Sequence, residues 1–210
     1  MDDQLKNVTA VLFDLYGTLV QIGAPRKPYR QLLSILANNG RQPQPDDGRR
    51  LMSCAVDLEG AAAMFGCSLI PSEMAVLRHD LSIELASIAP VAGGIETIVG
   101  LKEIGIRVGI CSNLAVPYAA PALKLLPSLD AYAWSFEVGA VKPDREIYEY
   151  ACKELGTSPE NVLMVGDTLV ADYEGPLAFG MQARLLRADG GAGCLPNISE
   201  VGNLLRIARA

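Results

Sequence analysis

The segment Val11-Leu12-Phe13-Asp14-Leu15-Tyr16-Gly17-Thr18 constrains the fold of this chain more than any other. An apolar run opens at Val8, is interrupted only by Thr9, and stops on the carboxylate of Asp14. A short apolar run bounded by a turn signal predicts a strand buried on both faces, as in a parallel sheet. Such sheets gather their ligands at the C-terminal ends of the strands, so Asp14 stands at a position suited to chemistry. Gly17 tolerates the positive φ of a tight turn, and Thr18 offers a hydroxyl beside the carboxylate.

Downstream, the hydrophobic pattern changes period. Tyr29, Leu32, Leu33 and Leu36 share one helix face, flanked by Pro25 and Pro28 and ended by Gly40. A second helix is predicted over 49–65, stopped by Gly66. A third follows Pro71, with Ser72 as its N-cap and Met74, Leu77, Leu81, Leu85 and Ile88 on one face. Residues 21–89 therefore read as wholly helical, with no strand signal. From residue 90 the chain alternates. Helices are expected over 95–104 and 144–155, a helix broken by Pro117 and Pro121, and short helices over 172–179 and at the C-terminus. Strands are expected over 108–111, 131–136, 162–165 and, as the last, 183–186. Gly190 to Gly193 form a flexible loop. This alternation predicts an α/β fold, a Rossmann-like, doubly wound parallel sheet with right-handed crossovers. Residues 1–20 and 90–210 form its core, and 21–89 are a helical insertion after the first strand.

Composition narrows the function. Hydrophobic residues make up 50% of the 210 and charged residues 20%, enough for a sizeable core. No run approaches the ~18 consecutive apolar residues of a membrane span. The acidic start, with no charged-then-apolar leader, leads us to expect a cytoplasmic protein. A net charge of −6 argues against nucleic-acid or anionic-membrane surfaces and leaves a small molecule as the expected partner. Oligomeric state is not legible. Five cysteines, with no close pair among Cys54, Cys67, Cys111, Cys152 and Cys194, are expected to be reduced and mostly buried.

Three further polar groups follow Asp14 in order. Ser112, with Asn113 next to it, ends the second core strand, and Lys142 precedes a helix in Val141-Lys142-Pro143. Gly166-Asp167 ends a later strand, with Asp172 five residues on. Strands of one parallel sheet end on the same side, so these groups can meet Asp14 there. Together with Asp-Leu-Tyr-Gly-Thr, this series resembles the four motifs of the haloacid dehalogenase-like hydrolases. The resemblance implies a helical cap over the site and a covalent role for Asp14, whose aspartyl ester is then hydrolysed. It implies that Ser112 and Asn113 hydrogen-bond the transferred group or substrate, with Thr18 beside them. Lys142 supplies positive charge. Asp167 and Asp172, with Asp14 and the main-chain carbonyl of Tyr16, would hold Mg²⁺, a cation suited to hard oxygen ligands.

The resemblance also divides. Most phosphatases of the family carry a second aspartate where this chain has Tyr16, and Asp-Leu-Tyr-Gly-Thr looks more like the 2-haloacid dehalogenases, which use no metal. The acidic pair Asp167 and Asp172 points instead to Mg²⁺-dependent phosphatases. Electrostatics favours the metal. Two carboxylates about 5 Å apart at an effective dielectric of about 20 repel by roughly 3 kcal/mol, and three such pairs approach about 10 kcal/mol. Lys142 is one positive charge against three. Tyr16 has its own cost, because a phenol of pKa ~10 cannot replace a general acid worth ~10²–10⁴ in rate. Either the leaving group is good, or an acid comes from the insertion, or a carbon–halogen bond is broken. A dehalogenase would need a halide cradle, for which Arg26, Arg30 and Arg41 beside Tyr29 are the early candidates. The sole histidine, His79, is expected on the surface. The sequence thus favours a phosphatase, with a dehalogenase second and a non-catalytic anion- or partner-binding relative third.

Overall fold

A computed structural model describes residues 5–66 and 69–207, without the side chains of the last two, 206 and 207; Cys67, expected to be reduced and buried, lies outside these residues. The apolar run before Asp14 forms β1 (Ala10–Phe13), fully buried. Its side chains alternate between two cores. Val11 and Phe13 join the cluster containing Ile98, Leu101 and Val201, whereas Ala10 and Leu12 pack with Ile147, Tyr148 and Ala151. Burial on both faces is why this strand reads as a continuous apolar run rather than an alternating one.

The insertion begins at β2 (Val20–Ile22) and continues through α1 (Pro28–Asn38), α2 (Asp47–Met52), α3 (Leu58–Met64) and α4 (Pro71–Ala86). It closes with β3 (Ile88–Pro90), which pairs antiparallel with β2. The expectation that 21–89 is wholly helical is therefore corrected at both ends, because three-residue strands are too short to show a period of two. Ile88 accordingly belongs to β3 and not to a helix face. The helix expected over 49–65 is two helices, broken where the Asp57 carboxylate accepts from Gly60 N at 2.8 Å and starts α3 afresh. Ser72 lies inside α4, whose N-cap position is Ile70. Pro71 at the first helical position and Glu73, accepting from Ile70 N at 3.1 Å, start it instead. Leu32, Leu36, Leu51, Leu58 and Leu77 form a core private to these helices. Burying one leucine contributes about 1.5–3 kcal/mol, so the insertion has its own reason to hold its shape.

The rest of the chain supplies α5 (Gly94–Glu103), β4 (Arg107–Ser112), a 3₁₀ turn with α6 (Ala119–Leu123), β5 (Ala131–Trp134), α7 (Ser135–Val138) and α8 (Arg145–Leu155). Then come β6 (Val162–Gly166), a π-helical turn over 169–174, α9 (Gly175–Phe179), β7 (Gln182–Leu186), β8 (Cys194–Leu195) and α10 (Glu200–Ile207). The strand expected to be last is followed by β8, which pairs with β7 over two residues. Of the described cysteines only Cys111 and Cys152 are buried, and Cys54 and Cys194 are part-exposed. Among the described residues no helix is long and apolar enough to cross a membrane.

The six-stranded sheet has the order β5-β4-β1-β6-β7-β8 and is parallel throughout. From β1 the chain builds outward through β4 and β5, then returns to the other side of β1 for β6. This reversal opens a crevice at the carboxyl ends of β1 and β6, where α/β sheets bind ligands. Asp14 and Asp167 stand at those two ends.

Candidate active site

Asp14 is fixed by the last rung of the sheet, its N–H donating to Val165 O at 2.9 Å. Its side chain is buried, and Oδ1 accepts from Lys142 Nζ at 2.7 Å and from Ser112 Oγ at 3.2 Å. The same ammonium donates to Asp172 Oδ1 at 2.6 Å. Burial works against the Lys142 charge, yet Asp14 and Asp172 outweigh it and hold the ammonium above its ordinary pKa. Lys142 is therefore a fixed cation at neutral pH. Its loop is positioned by Asn113, whose carbonyl accepts from Lys142 N at 2.7 Å while its amide donates to Lys142 O at 2.9 Å.

Asp172 reaches the crevice from the π-helical turn after β6, which adds a residue per turn to the usual helical path. Its Oδ2 accepts from Thr168 N at 2.9 Å. Gly166 makes room for it, because a Cβ there would collide with the Asp172 carboxylate. The turn is anchored from below by the buried Tyr148, whose hydroxyl donates to Ala171 O at 2.7 Å. Burial raises the Asp172 pKa against the opposing pull of Lys142. Asp167 is exposed at the crevice edge. Desolvation first, and then the charge of Asp14, raise its pKa too. Gly17, at φ 93°, passes so close to Asp167 that a Cβ would overlap the carboxylate. Carboxylate oxygens of Asp14, Asp167 and Asp172 all lie within 4.8 Å of one another. Three hard, anionic oxygen donors around a space kept clear by two glycines fit a divalent cation such as Mg²⁺.

Five of the expected residues thus converge: Asp14, Ser112, Lys142, Asp167 and Asp172. The others differ. Asn113 spends its amide on the Lys142 backbone, which makes it a positioning residue in this arrangement. Thr18 is fully buried, and its hydroxyl has no hydrogen-bond partner among the described residues, so it does not face a substrate space. Tyr16 lies in the turn after Asp14, but its hydroxyl leaves the carboxylates and donates to Tyr118 O at 2.8 Å. Burial, and then Glu84, push this phenol above its ordinary pKa, so it stays neutral. Among the arginines, Arg41 is committed to Asp47 at 2.7 and 2.5 Å and stacks over Phe65. Arg30 lines a cavity shared with Tyr29, and Arg26 lines a separate groove outside α1. His79 is exposed on α4, as expected.

Sequence reasoning missed Glu84. It is buried on α4, and its carboxylate accepts from Arg26 N and Lys27 N, both at 2.6 Å, and from the Tyr118 hydroxyl at 3.0 Å. The available signal was its position seven residues after Leu77, two turns along the same helix face.

A family model described as haloacid dehalogenase-like hydrolase matches residues 8–180. Glyceraldehyde 3-phosphate phosphatase of Methanothermobacter thermautotrophicus is 30% identical over 196 residues, covering 86% of each chain. The (S)-2-haloacid dehalogenase of Pseudomonas fluorescens is 28% identical over 174 residues, covering 77% of each. Among solved structures, a HAD phosphatase from Thermococcus onnurineus superposes with TM-score 0.64 at 23% identity, covering 94% of this chain and 98% of its own. That likeness concerns the fold. With the family model running from β1 through α9, and so over the insertion and the carboxylate cluster, the chain belongs to the haloacid dehalogenase-like hydrolases.

Proposed function

We propose that the protein is a Mg²⁺-dependent phosphatase acting on a small phosphorylated molecule through an aspartyl-phosphate on Asp14, with residues 21–89 acting as its cap. The observation that carries this reading is the distribution of charge. Lys142 bonds two of the three carboxylates, so the sum made from the sequence alone, one cation against three anions, is too simple. What remains is Asp167, a carboxylate with no cation in contact among the described residues, facing Asp14 across the space between them. A divalent cation held by Asp14, Asp167, Asp172 and the Tyr16 carbonyl would draw charge from a phosphoryl group when bound. The protein's own groups do the rest. Ser112 and Lys142 orient the Asp14 carboxylate, and the remaining Asp14 oxygen bonds to phosphorus as the bond from phosphorus to the leaving oxygen breaks, its electron pair departing with the leaving group. The buried ammonium offsets the negative charge gathering there. Water then attacks the acyl-phosphate and restores the carboxylate.

A second reading, 2-haloacid dehalogenase, is favoured by Tyr16 and by Arg30 beside Tyr29 at the cavity. One experiment separates the two. Thermal melts with Mg²⁺, with chelator and with NaCl at matched ionic strength are run beside a hydrolysis panel of phosphate esters, acyl phosphates and 2-haloacids. A phosphatase gains about 2.7 kcal/mol from Mg²⁺ at a hundredfold excess over Kd, loses most of that gain in Asp167→Ala, and releases phosphate. No Mg²⁺ response with halide release in chelator makes it a dehalogenase. A chain that turns over neither class is the non-catalytic relative.

A further inference from the structure

We infer that the substrate of this site is an aryl phosphate monoester, whose ring occupies the cavity between the insertion and the core and departs as a phenolate. The inference rests on the phosphatase reading above and names its substrate class. Two independent observations carry it. The first is the missing proton donor. Tyr16, where a general acid would stand, commits its only hydroxyl proton to Tyr118 O. The one carboxylate among the residues lining the cavity, Glu84, already accepts three hydrogen bonds. Neither is placed to protonate a departing oxygen. An alkoxide cannot leave readily without that help, which is ordinarily worth ~10²–10⁴ in rate. A phenolate can, since a phenol has a pKa near ~10.

The second observation is the cavity itself, about 390 Å³, which adjoins the site through Tyr16 and Asn113. Its wall is mostly apolar, with Leu33, Leu51 and Met52 from the insertion and Leu114 from the core, while Lys27, Arg30, Glu84 and Asn113 are its polar members. The rings of Tyr16, Tyr118 and Tyr29 complete it, Tyr16 meeting Tyr118 edge-on at 5.8 Å and Tyr29 tilted at 6.3 Å from Tyr118. Aromatic walls with edges and faces both presented suit a planar ring. Along the leucine, methionine and tyrosine stretch of this wall, a sugar or glycerol body would strand its hydroxyls.

The step balances simply. The Asp14 oxygen forms a bond to phosphorus as the phosphorus–oxygen(aryl) bond breaks. That electron pair stays on the phenolate, which takes its proton from solvent.

Two measurements test the inference. In the first, kcat/KM with Mg²⁺ is compared for phenyl, benzyl and glycerol phosphates. Phenyl phosphate should lead both others by at least about 10²-fold. Benzyl phosphate within threefold of it overturns the phenolate step. The second needs no turnover: calorimetric binding of phenylphosphonate and methylphosphonate to the Mg²⁺-loaded protein. The phenyl compound should bind at least about tenfold more tightly. Leu33→Gln should erase that advantage and leave methylphosphonate unchanged, with Met52→Gln as the second variant if the first fails to fold. Equal binding of the two phosphonates overturns the cavity assignment. Halide release without any phosphate release overturns the phosphatase reading itself, an outcome distinct from either.

Discussion

The floor of this cleft and the insertion above it are held by different forces. On the floor the central groups are clamped by ions and hydrogen bonds. Lys142 is clamped between Asp14 and Asp172, its backbone is clamped by Asn113, and the last ladder bond of β1 sets Asp14. The insertion instead meets the core through apolar surface, one buried carboxylate and a few contacts at the rim, such as Arg49 with Asp144 and Ser135 Oγ with Met52 O. The contrast teaches where sensitivity lies. Buried ionic groups lose heavily when one partner is removed, whereas an apolar wall yields gradually. The floor should fail abruptly under single substitutions, and the insertion should tune.

Asp14→Asn gives the sharpest break. The amide is nearly isosteric and keeps the fold, but it is no nucleophile, so kcat should drop by on the order of 10⁴-fold or more with an unchanged circular dichroism spectrum. Activity within tenfold of wild type would remove the covalent role.

Lys142→Met comes next. Asp14 and Asp172 lose their shared cation while still buried, so stability should fall by about 3–5 kcal/mol. kcat should fall by about 10²–10³-fold. Urea unfolding and steady-state kinetics read both. A loss below about 1 kcal/mol would mean that the floor is not an ionic clamp.

Asp167 tests the exposed edge of that floor. Its folded pKa is raised, so the native state holds this proton more tightly than the unfolded chain does. The penalty for ionising it is fully present above the folded pKa and is relieved as pH falls through that value. The apoprotein should therefore gain stability relative to Asp167→Asn on acidification from neutrality, and Mg²⁺ should cancel the penalty at neutral pH. Parallel melting curves for the two proteins across pH 4–7, without metal, would contradict this.

Arg49→Ala should do least. The pair with Asp144 joins α2 to the loop carrying Lys142, but the arginine is half-exposed. A surface pair of this kind contributes about 0–1 kcal/mol and is weakened by salt. KM should rise less than about threefold, with no change in kcat. A large kcat effect would mean that the insertion is wired into the floor rather than laid over it.

How much of this was legible in the sequence follows from the same contrast. The floor was readable because Asp14, Ser112 and Asp167 end buried strands and show that in their flanks, while Lys142 and Asp172 follow in order in the loop before α8 and the turn after β6. Asn113 was found for the wrong reason, since its hydrogen bonds run to the Lys142 backbone, which spacing does not reveal. Thr18 is expected beside the substrate, yet adjacency to Asp14 says nothing about which way a hydroxyl turns, and here it is buried. The cavity was invisible, as its wall joins residues from four distant segments. Strands β2, β3 and β8 were missed because two or three residues carry no periodicity.

Glu84 has a mechanical consequence. The insertion is tethered covalently through two strands, and a two-strand tether alone would leave it free to rock. Glu84 acts as a strut across that tether, joining α4 to the backbone leading into α1 and, through Tyr118, to the ring that grips Tyr16. The strut divides the insertion into two zones for anyone redesigning it. Substitutions in α2, which contributes Leu51 and Met52, can reshape the cavity wall while the nucleophile loop stays put. Substitutions around the strut will move the wall and Tyr16 together, so selectivity and rate will change as one.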